Sequence, residues 1–360
     1  MISFFLFLPI QILAFTYEQQ QQLISDEVDF YLDYNSGNIF DYAFTEMIGQ
    51  GAFSEVYLGY RVEDQEPVVL KHIKGSKERV VNREIQILKA LQGLPNIVQI
   101  IDAIKGDEEE SDDFFDFGVV DNQNQETPQM EIKKQSHKEG HIEATIIFAY
   151  QNTTRCLDDI RKYGNYSLKQ VKNYFKQIFT ALNKAHELHI MHRDIKGSNV
   201  LVDDNDNIIL IDWGLSQFYD DGTHQSTKMG TRYYKAPELL LKYKQYDYSI
   251  DIWAVGCMLA DFIFKTHPLL PGKDNEDQLK KIISMLGTND LYEYLNKYQI
   301  ELDLDEIPQV QNRVDFTKLV NIKNQNLVSK EGIDLLEKIF IYDHKLRINA
   351  SQALEHAFFL

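Results

Sequence analysis

No Lys or Arg precedes Arg61 in this chain of 360 residues. The apolar run Ile2–Phe15 therefore lacks the charged flank of a secretory signal, and no A-x-A-like cleavage site follows it. It is interrupted by Pro9 and too short to span a bilayer comfortably. The expectation is a packed or frayed tail or a misassigned start, with a signal or anchor at 1–15 as the alternative. Cysteine is scarce too: Cys156 and Cys257 have no metal-type spacing and form no disulfide framework, which points to a reducing compartment. Cys257 lies in an apolar helix-like run and reads as a small buried hydrophobe. There is no excess of positive charge, the formal net charge being −18, so nucleic acid and anionic membrane are not expected as partners.

What is present is the composition of a globular protein, 44% hydrophobic and 26% charged, long enough for one large domain or two coupled lobes. Residues 1–40 form an N-terminal segment, apolar and then rich in Gln, Asp and Tyr. Alternating and β-branched runs predict strands at 44–48, 55–61 and 67–73, and again at 97–104 and 143–150. Between the two groups, Val80, Ile85, Leu88 and Leu91 predict a helix over 78–92. Beyond Leu157 helices are predicted over 168–189, 249–264, 276–286 and 331–341. The fold class expected is α+β: a bilobal domain over 41–358, with a small β-rich lobe at 41–150, a larger helical lobe at 151–358, and a cleft between them. An insertion at 106–140 carries the acidic run Asp107, Glu108, Glu109, Glu110, Asp112, Asp113 and Asp116, and reads as a solvated loop.

Several motifs fit phosphoryl transfer, which requires held phosphates, neutralised charge and an oriented nucleophile. Gly49-Gln50-Gly51-Ala52-Phe53-Ser54-Glu55-Val56 predicts a strand–turn–strand whose glycines let backbone amides approach phosphate oxygens. Ser54 stands where a third glycine is usual, so this segment alone is a weak signal. Lys71 ends an apolar strand, and Glu84 on the following helix is placed to pair with it and hold it against the α- and β-phosphates. The sharpest signal is His192-Arg193-Asp194-Ile195-Lys196-Gly197-Ser198-Asn199. There Asp194 can orient a hydroxyl or take its proton, Lys196 can neutralise developing charge, and Asn199 offers an amide oxygen to a hard cation such as Mg²⁺. Asp212-Trp213-Gly214 supplies the principal metal ligand, Asp212. Glu238 of Ala236-Pro237-Glu238 is expected to form a buried pair with Arg347, and Asp251 to cap a helix or bond the catalytic-loop backbone.

In this order and spacing the motifs resemble the protein kinase signature. The chain further resembles the casein kinase II catalytic (alpha) subunits from about Tyr31 to Phe358. The resemblance rests on Asp212-Trp213-Gly214-Leu215-Ser216-Gln217-Phe218-Tyr219, on Tyr243 to Ser249, on the stretch from Asp274 to Asp303, and on Tyr342-Asp343-His344. It implies a Ser/Thr kinase that acts beside acidic residues, uses ATP or GTP with Mg²⁺, and needs no activation-loop phosphorylation. It also implies a regulatory beta subunit on the outer face of the β-rich lobe and a nuclear and cytoplasmic location. By the same resemblance Gly49, Gly51, Ser54, Val56, Lys71 and Phe148 bind the nucleotide, while Lys228, Arg232 and Lys235 form the pocket for acidic substrates. The Trp213 indole N–H is expected to donate to a carbonyl such as that of Leu210, tying the metal-binding loop into its active position.

Departures keep other readings open. Lys74-Gly75-Ser76-Lys77-Glu78-Arg79 thins the family's lysine run, and the hinge diverges after Phe148, which leaves GTP use open. Gly197 replaces a proline and is expected to add backbone freedom, and Leu32 replaces a tryptophan that braces the activation loop in the family. Gly230-Thr231 resembles the cyclin-dependent-like group, so a related kinase with another peptide preference is one alternative. A pseudokinase or binding module is the other. Ser111, flanked by acids, raises the idea of an autophosphorylation or pseudosubstrate element, against which stands the plain solvated loop.

Overall fold

Cross-strand pairing of the alternating runs builds an antiparallel five-stranded sheet in the order β1-β2-β3-β5-β4. Its strands are β1 (Tyr42–Gln50), β2 (Ser54–Arg61), β3 (Pro67–Lys77), β4 (Ile100–Lys105) and β5 (His141–Ala149). The structure, a computed structural model, describes residues 37–106, 141–302 and 310–360. The apolar run 2–15, Leu32, the acidic stretch 107–140 with Ser111, and Asp303 lie outside them. The insertion leaves and re-enters the sheet between the paired strands β4 and β5.

Directly opposed residues share a face of a sheet, and each strand alternates between faces. Val56 opposes Lys71, Lys71 opposes Ile146, and Val69 opposes Phe148, so these five residues line one face. The other face buries Tyr42, Val68, Leu70, Ile104 and Ile147, edged by Ile39, Phe44 and Tyr57. That cluster fixes the register, because a slip of one residue would turn it outward and carry Lys71 away from the cleft.

Helix α1 (Glu78–Ala90) follows β3. Its buried stripe is Val81, Glu84, Ile85, Ile87 and Leu88, so Val81 rather than Val80 faces inward. Glu84 thus occupies a core-facing position, where a carboxylate needs a partner. The strand expected from 97 begins at Ile100. Residues 96–98 turn to β9 (Ile208–Leu210) instead: Leu210 N donates to Asn96 O at 2.8 Å and Val98 N to Leu210 O at 3.1 Å.

The larger lobe comprises β6 (Thr153–Cys156), α2 (Leu157–Tyr163), α3 (Leu168–Glu187), β7 (Ile190–Met191), β8 (Val200–Asp203), then β9 and β10 (Gln217–Phe218). Helices α4 (Pro237–Leu240), α5 (Ser249–Phe264), α6 (Asn275–Leu286), α7 (Asn289–Tyr298), α8 (Lys330–Ile339) and α9 (Ala350–Leu354) complete it. A three-stranded sheet runs β6-β8-β9, and β7 pairs with β10. Helix α3 starts at a Ser167–Gln170 capping box, which satisfies two end amides reciprocally. Every residue of α5 is buried, making it the central post of the lobe, and Cys257 sits within it as expected. No helix among the described residues is long and apolar enough to cross a membrane.

Candidate active site

Lys71 reaches across the cleft as the sequence predicted. Its Nζ lies 2.6 Å from Glu84 Oε1 and 3.3 Å from Asp212 Oδ1. Burial works to lower the Lys71 ammonium, but the charges of Glu84 and Asp212 override it and raise it above the usual lysine range. For Asp212 the partly desolvated cleft works upward, while the charges of Lys71 and Lys196 hold the carboxyl below its ordinary value.

The hairpin β1–β2 brings Gly49 opposite Val56, and Gly51 N donates to Ser54 O at 2.7 Å, closing the turn. Val56 is the cross-strand neighbour of Lys71, and Phe148 is buried at the end of β5 on the same face. Glycine-loop residues, the lysine and Phe148 therefore belong to one surface.

A second cluster forms between β7 and β8. Lys196 Nζ donates to Asp194 Oδ2 at 2.6 Å, and Asn199 Nδ2 donates to the Asp194 carbonyl at 3.0 Å. Asp194 Oδ1 accepts from Thr231 N at 3.0 Å and from Thr231 Oγ1 at 2.8 Å. The sequence reading missed Thr231. Its signal was Gly230: φ is 82° there, and an added Cβ would lie 3.0 Å from Arg193 O, so glycine is what lets the chain bring Thr231 up to Asp194.

The loop carrying Asp194 is held from below. Asp251 at the start of α5 accepts from His192 N at 2.9 Å, from Arg193 N at 2.8 Å, and from His186 Nε2 at 3.0 Å. Of the two roles expected for Asp251, the bond to the catalytic-loop backbone is the one it makes. Burial works to raise this carboxyl, yet the bond from His186 and the nearby histidines keep it below the normal range. His192 accepts from Asp194 N through Nδ1 at 3.2 Å and donates through Nε2 to Ile211 O at 3.1 Å, linking the loop to the residue before Asp212. Trp213 Nε1 donates to Leu210 O at 3.4 Å, as expected, and its ring lies 4.6 Å from that of His192. Arg193 and Asp212 both have left-handed backbone, φ 66° and 61°, conformations that this bonding must sustain.

Gly197 corrects one expectation. It is buried rather than loose, and an added Cβ would lie 2.4 Å from Asp158 Oδ1 on α2. The Asp158 carboxylate occupies the space a larger residue would need. Gly197→Ala is expected to cost about 1–3 kcal/mol of stability, read by thermal unfolding. The double variant with Asp158→Ala should recover most of that loss.

Of the three predicted substrate-binding cations, Lys235 lines a small pocket together with Asp194, Gly230 and Thr231. It is buried, and desolvation pulls its ammonium below the usual range. Lys228 is exposed. Arg232 lies 5.1 Å over the Tyr233 ring, and neither it nor Lys228 lines that pocket. The expected Glu238–Arg347 pair is present, bidentate at 2.8 and 3.1 Å with both side chains fully buried.

The donor set suits a hard cation. Asn199 commits its Nδ2 to Asp194, and its amide oxygen is the kind of acceptor a hard cation takes. No group of three or more His, Cys, Asp or Glu able to hold a metal occurs among the described residues. Two protein oxygens suit Mg²⁺, which takes its remaining ligands from phosphate and water.

A β-rich lobe and a helical lobe that bring together a phosphate-type glycine hairpin, a paired lysine, and two acids define a nucleotide-dependent phosphotransferase. The family model for the protein kinase domain matches residues 42–359, and the chain belongs to the protein kinase family.

Proposed function

We propose that the chain is a Ser/Thr kinase of the casein kinase II type, transferring the ATP γ-phosphate to hydroxyls beside acidic residues. The observation that carries this reading is Lys235, a buried cation in the same pocket as Asp194 and Thr231, where an acidic neighbour of the acceptor would find a partner. In this reading the acceptor hydroxyl donates to Asp194, whose two oxygens are oriented by Thr231 and Lys196. Lys196 then neutralises charge developing on the transferred group, and Lys71, braced by Glu84, holds the α- and β-phosphates. Asp212 and Asn199 would hold Mg²⁺, which supplies neutralisation of the phosphate charge when bound.

Activity without activation-segment phosphorylation is supported by Arg193. Its Nε donates to Leu215 O at 2.7 Å and its Nη1 to Tyr246 OH at 3.2 Å, and Tyr246 OH donates on to Ser226 O at 2.7 Å. These neutral groups hold the segment without a phosphate. A related kinase with another peptide preference is the second reading. It is favoured by Lys74, one of the few lysines left from the thinned run, which is tied to Glu55 at 2.7 Å. A beta-type regulatory subunit on the outer sheet face, GTP as a second nucleotide, and a nuclear and cytoplasmic location extend the family reading as proposals.

Initial rates on an acidic Ser peptide and its Ala-flanked match, with ATP and then GTP, test this. The acidic peptide is expected to be favoured by roughly tenfold or more in kcat/KM, the scale of about 1.4 kcal/mol. Lys235 attracts the acid only while protonated. The preference should therefore decline as pH rises through its lowered pKa, below the range of an ordinary lysine. Equal rates on both peptides would remove the acidic assignment and leave the kinase, whereas no turnover on either would bring the pseudokinase reading forward.

A further inference from the structure

Helix α1 carries Glu84, yet nothing within the helix fixes how far Glu84 stands from Lys71. A side-chain bond ties α1 to the far lobe: Arg83 Nη1 donates to Gln217 Oε1 at 2.8 Å, in a half-buried setting. Gln217 begins β10, which pairs with β7 residue for residue, Gln217 with Met191 and Phe218 with Ile190. Met191 immediately precedes His192-Arg193-Asp194, and Arg193 Nε bonds Leu215 O two residues before Gln217. The amide of Gln217 therefore sits on the same rigid ribbon as the catalytic loop, and through Arg83 it grips the residue next to Glu84.

We infer that Gln217 and Arg83 are a positioning pair, which sets the height of α1 so that Glu84 meets Lys71 while Lys71 still reaches Asp212. The physical reason is leverage. The 2.6 Å and 3.3 Å contacts of Lys71 can coexist only over a narrow range of helix positions, and a bond one residue from Glu84 restricts that range. A displacement near 1 Å at such a site costs up to roughly a hundredfold in rate. What the position supplies is a side-chain oxygen at that reach, which accepts from the Arg83 guanidinium and which a carboxylate could equally provide.

The test is a double-mutant cycle on the full chain, Gln217→Ala against Glu84→Ala, with Gln217→Glu as the conservative variant. Gln217→Ala is expected to lower kcat about tenfold with an unchanged melting temperature. In the Glu84→Ala background it should have less than about a twofold further effect, since residues acting as a unit are not additive. Gln217→Glu, still an acceptor for Arg83, should retain near wild-type kcat. Amide hydrogen exchange over 78–90 gives a second arm that needs no peptide substrate, and Gln217→Ala should speed it severalfold. The kinetic arm rests on the kinase reading, and the exchange arm does not. Multiplicative effects with Glu84→Ala, or a Gln217→Glu variant as slow as Gln217→Ala, would overturn the positioning role, as would unchanged exchange.

Discussion

Asp194→Asn lowers kcat by roughly 10²- to 10⁴-fold, the range for loss of a positioned acid–base group, while KM for ATP changes little. The asparagine side chain keeps the size of aspartate and one acceptor oxygen, so Thr231 or Lys196 retains a partner and the fold stands. What it loses is the carboxylate that can accept a proton from the acceptor hydroxyl. The distinction matters because Asp194 is also structural: its Oδ1 takes two bonds from Thr231 and its Oδ2 takes the Lys196 ammonium. Asp194→Ala would strand those donors and confuse a chemical loss with a local collapse. Steady-state kinetics on a phosphorylatable peptide, with nucleotide affinity measured separately, separates the two. A drop in kcat below about tenfold would show that Asp194 only orients the loop.

Arg347→Ala produces the largest loss of stability, on the order of 3–5 kcal/mol, because it leaves the carboxylate of Glu238 buried and unpaired. Both side chains are fully buried. Arg347 also donates to the carbonyls of Ser249 and Ile341, each at 2.8 Å, and its guanidinium lies 5.0 Å over the Trp253 ring. One cation thus joins the end of the activation segment to α5 and to the chain just before it. For a domain of this size such a loss corresponds to a fall in melting temperature on the order of 10 °C. Replacing Glu238 and Arg347 together by apolar residues of similar volume should recover much of it, since a buried pair is weak stabilisation measured against good packing. Thermal unfolding of the single and double variants decides the matter. Equal losses in the single and double variants would show that the backbone contacts of Arg347, rather than its charge pair, carry the stability.

Much of this site was readable from residue types. Lys71, Glu84, Asp194, Lys196, Asn199 and Asp212 declared themselves because phosphate, metal and hydroxyl chemistry leave few choices of side chain, and their order along the chain is that of the elements carrying them. The Glu238–Arg347 pair and the Trp213–Leu210 bond were legible for the same reason: a charge or an indole N–H in an apolar run must find a partner. The strand of β4 was read too early, since β-branched residues at 97–98 look alike whether they pair with β5 or with β9. Gly197 was misread as freedom, because a glycine spared from a clash and a glycine that bends freely are the same letter.

By itself the sequence determined the class of fold, the hydrophobic faces of strands and helices, and the residues able to do chemistry, since each follows from local period and side-chain type. Only the tertiary structure decided how they are held. Thr231 on Asp194, Asp158 against Gly197, Asp251 beneath His192 and Arg193, and Arg83 on Gln217 all join positions far apart in the chain. Such contacts depend on how whole elements pack, and packing sums many weak interactions that no short stretch of sequence encodes.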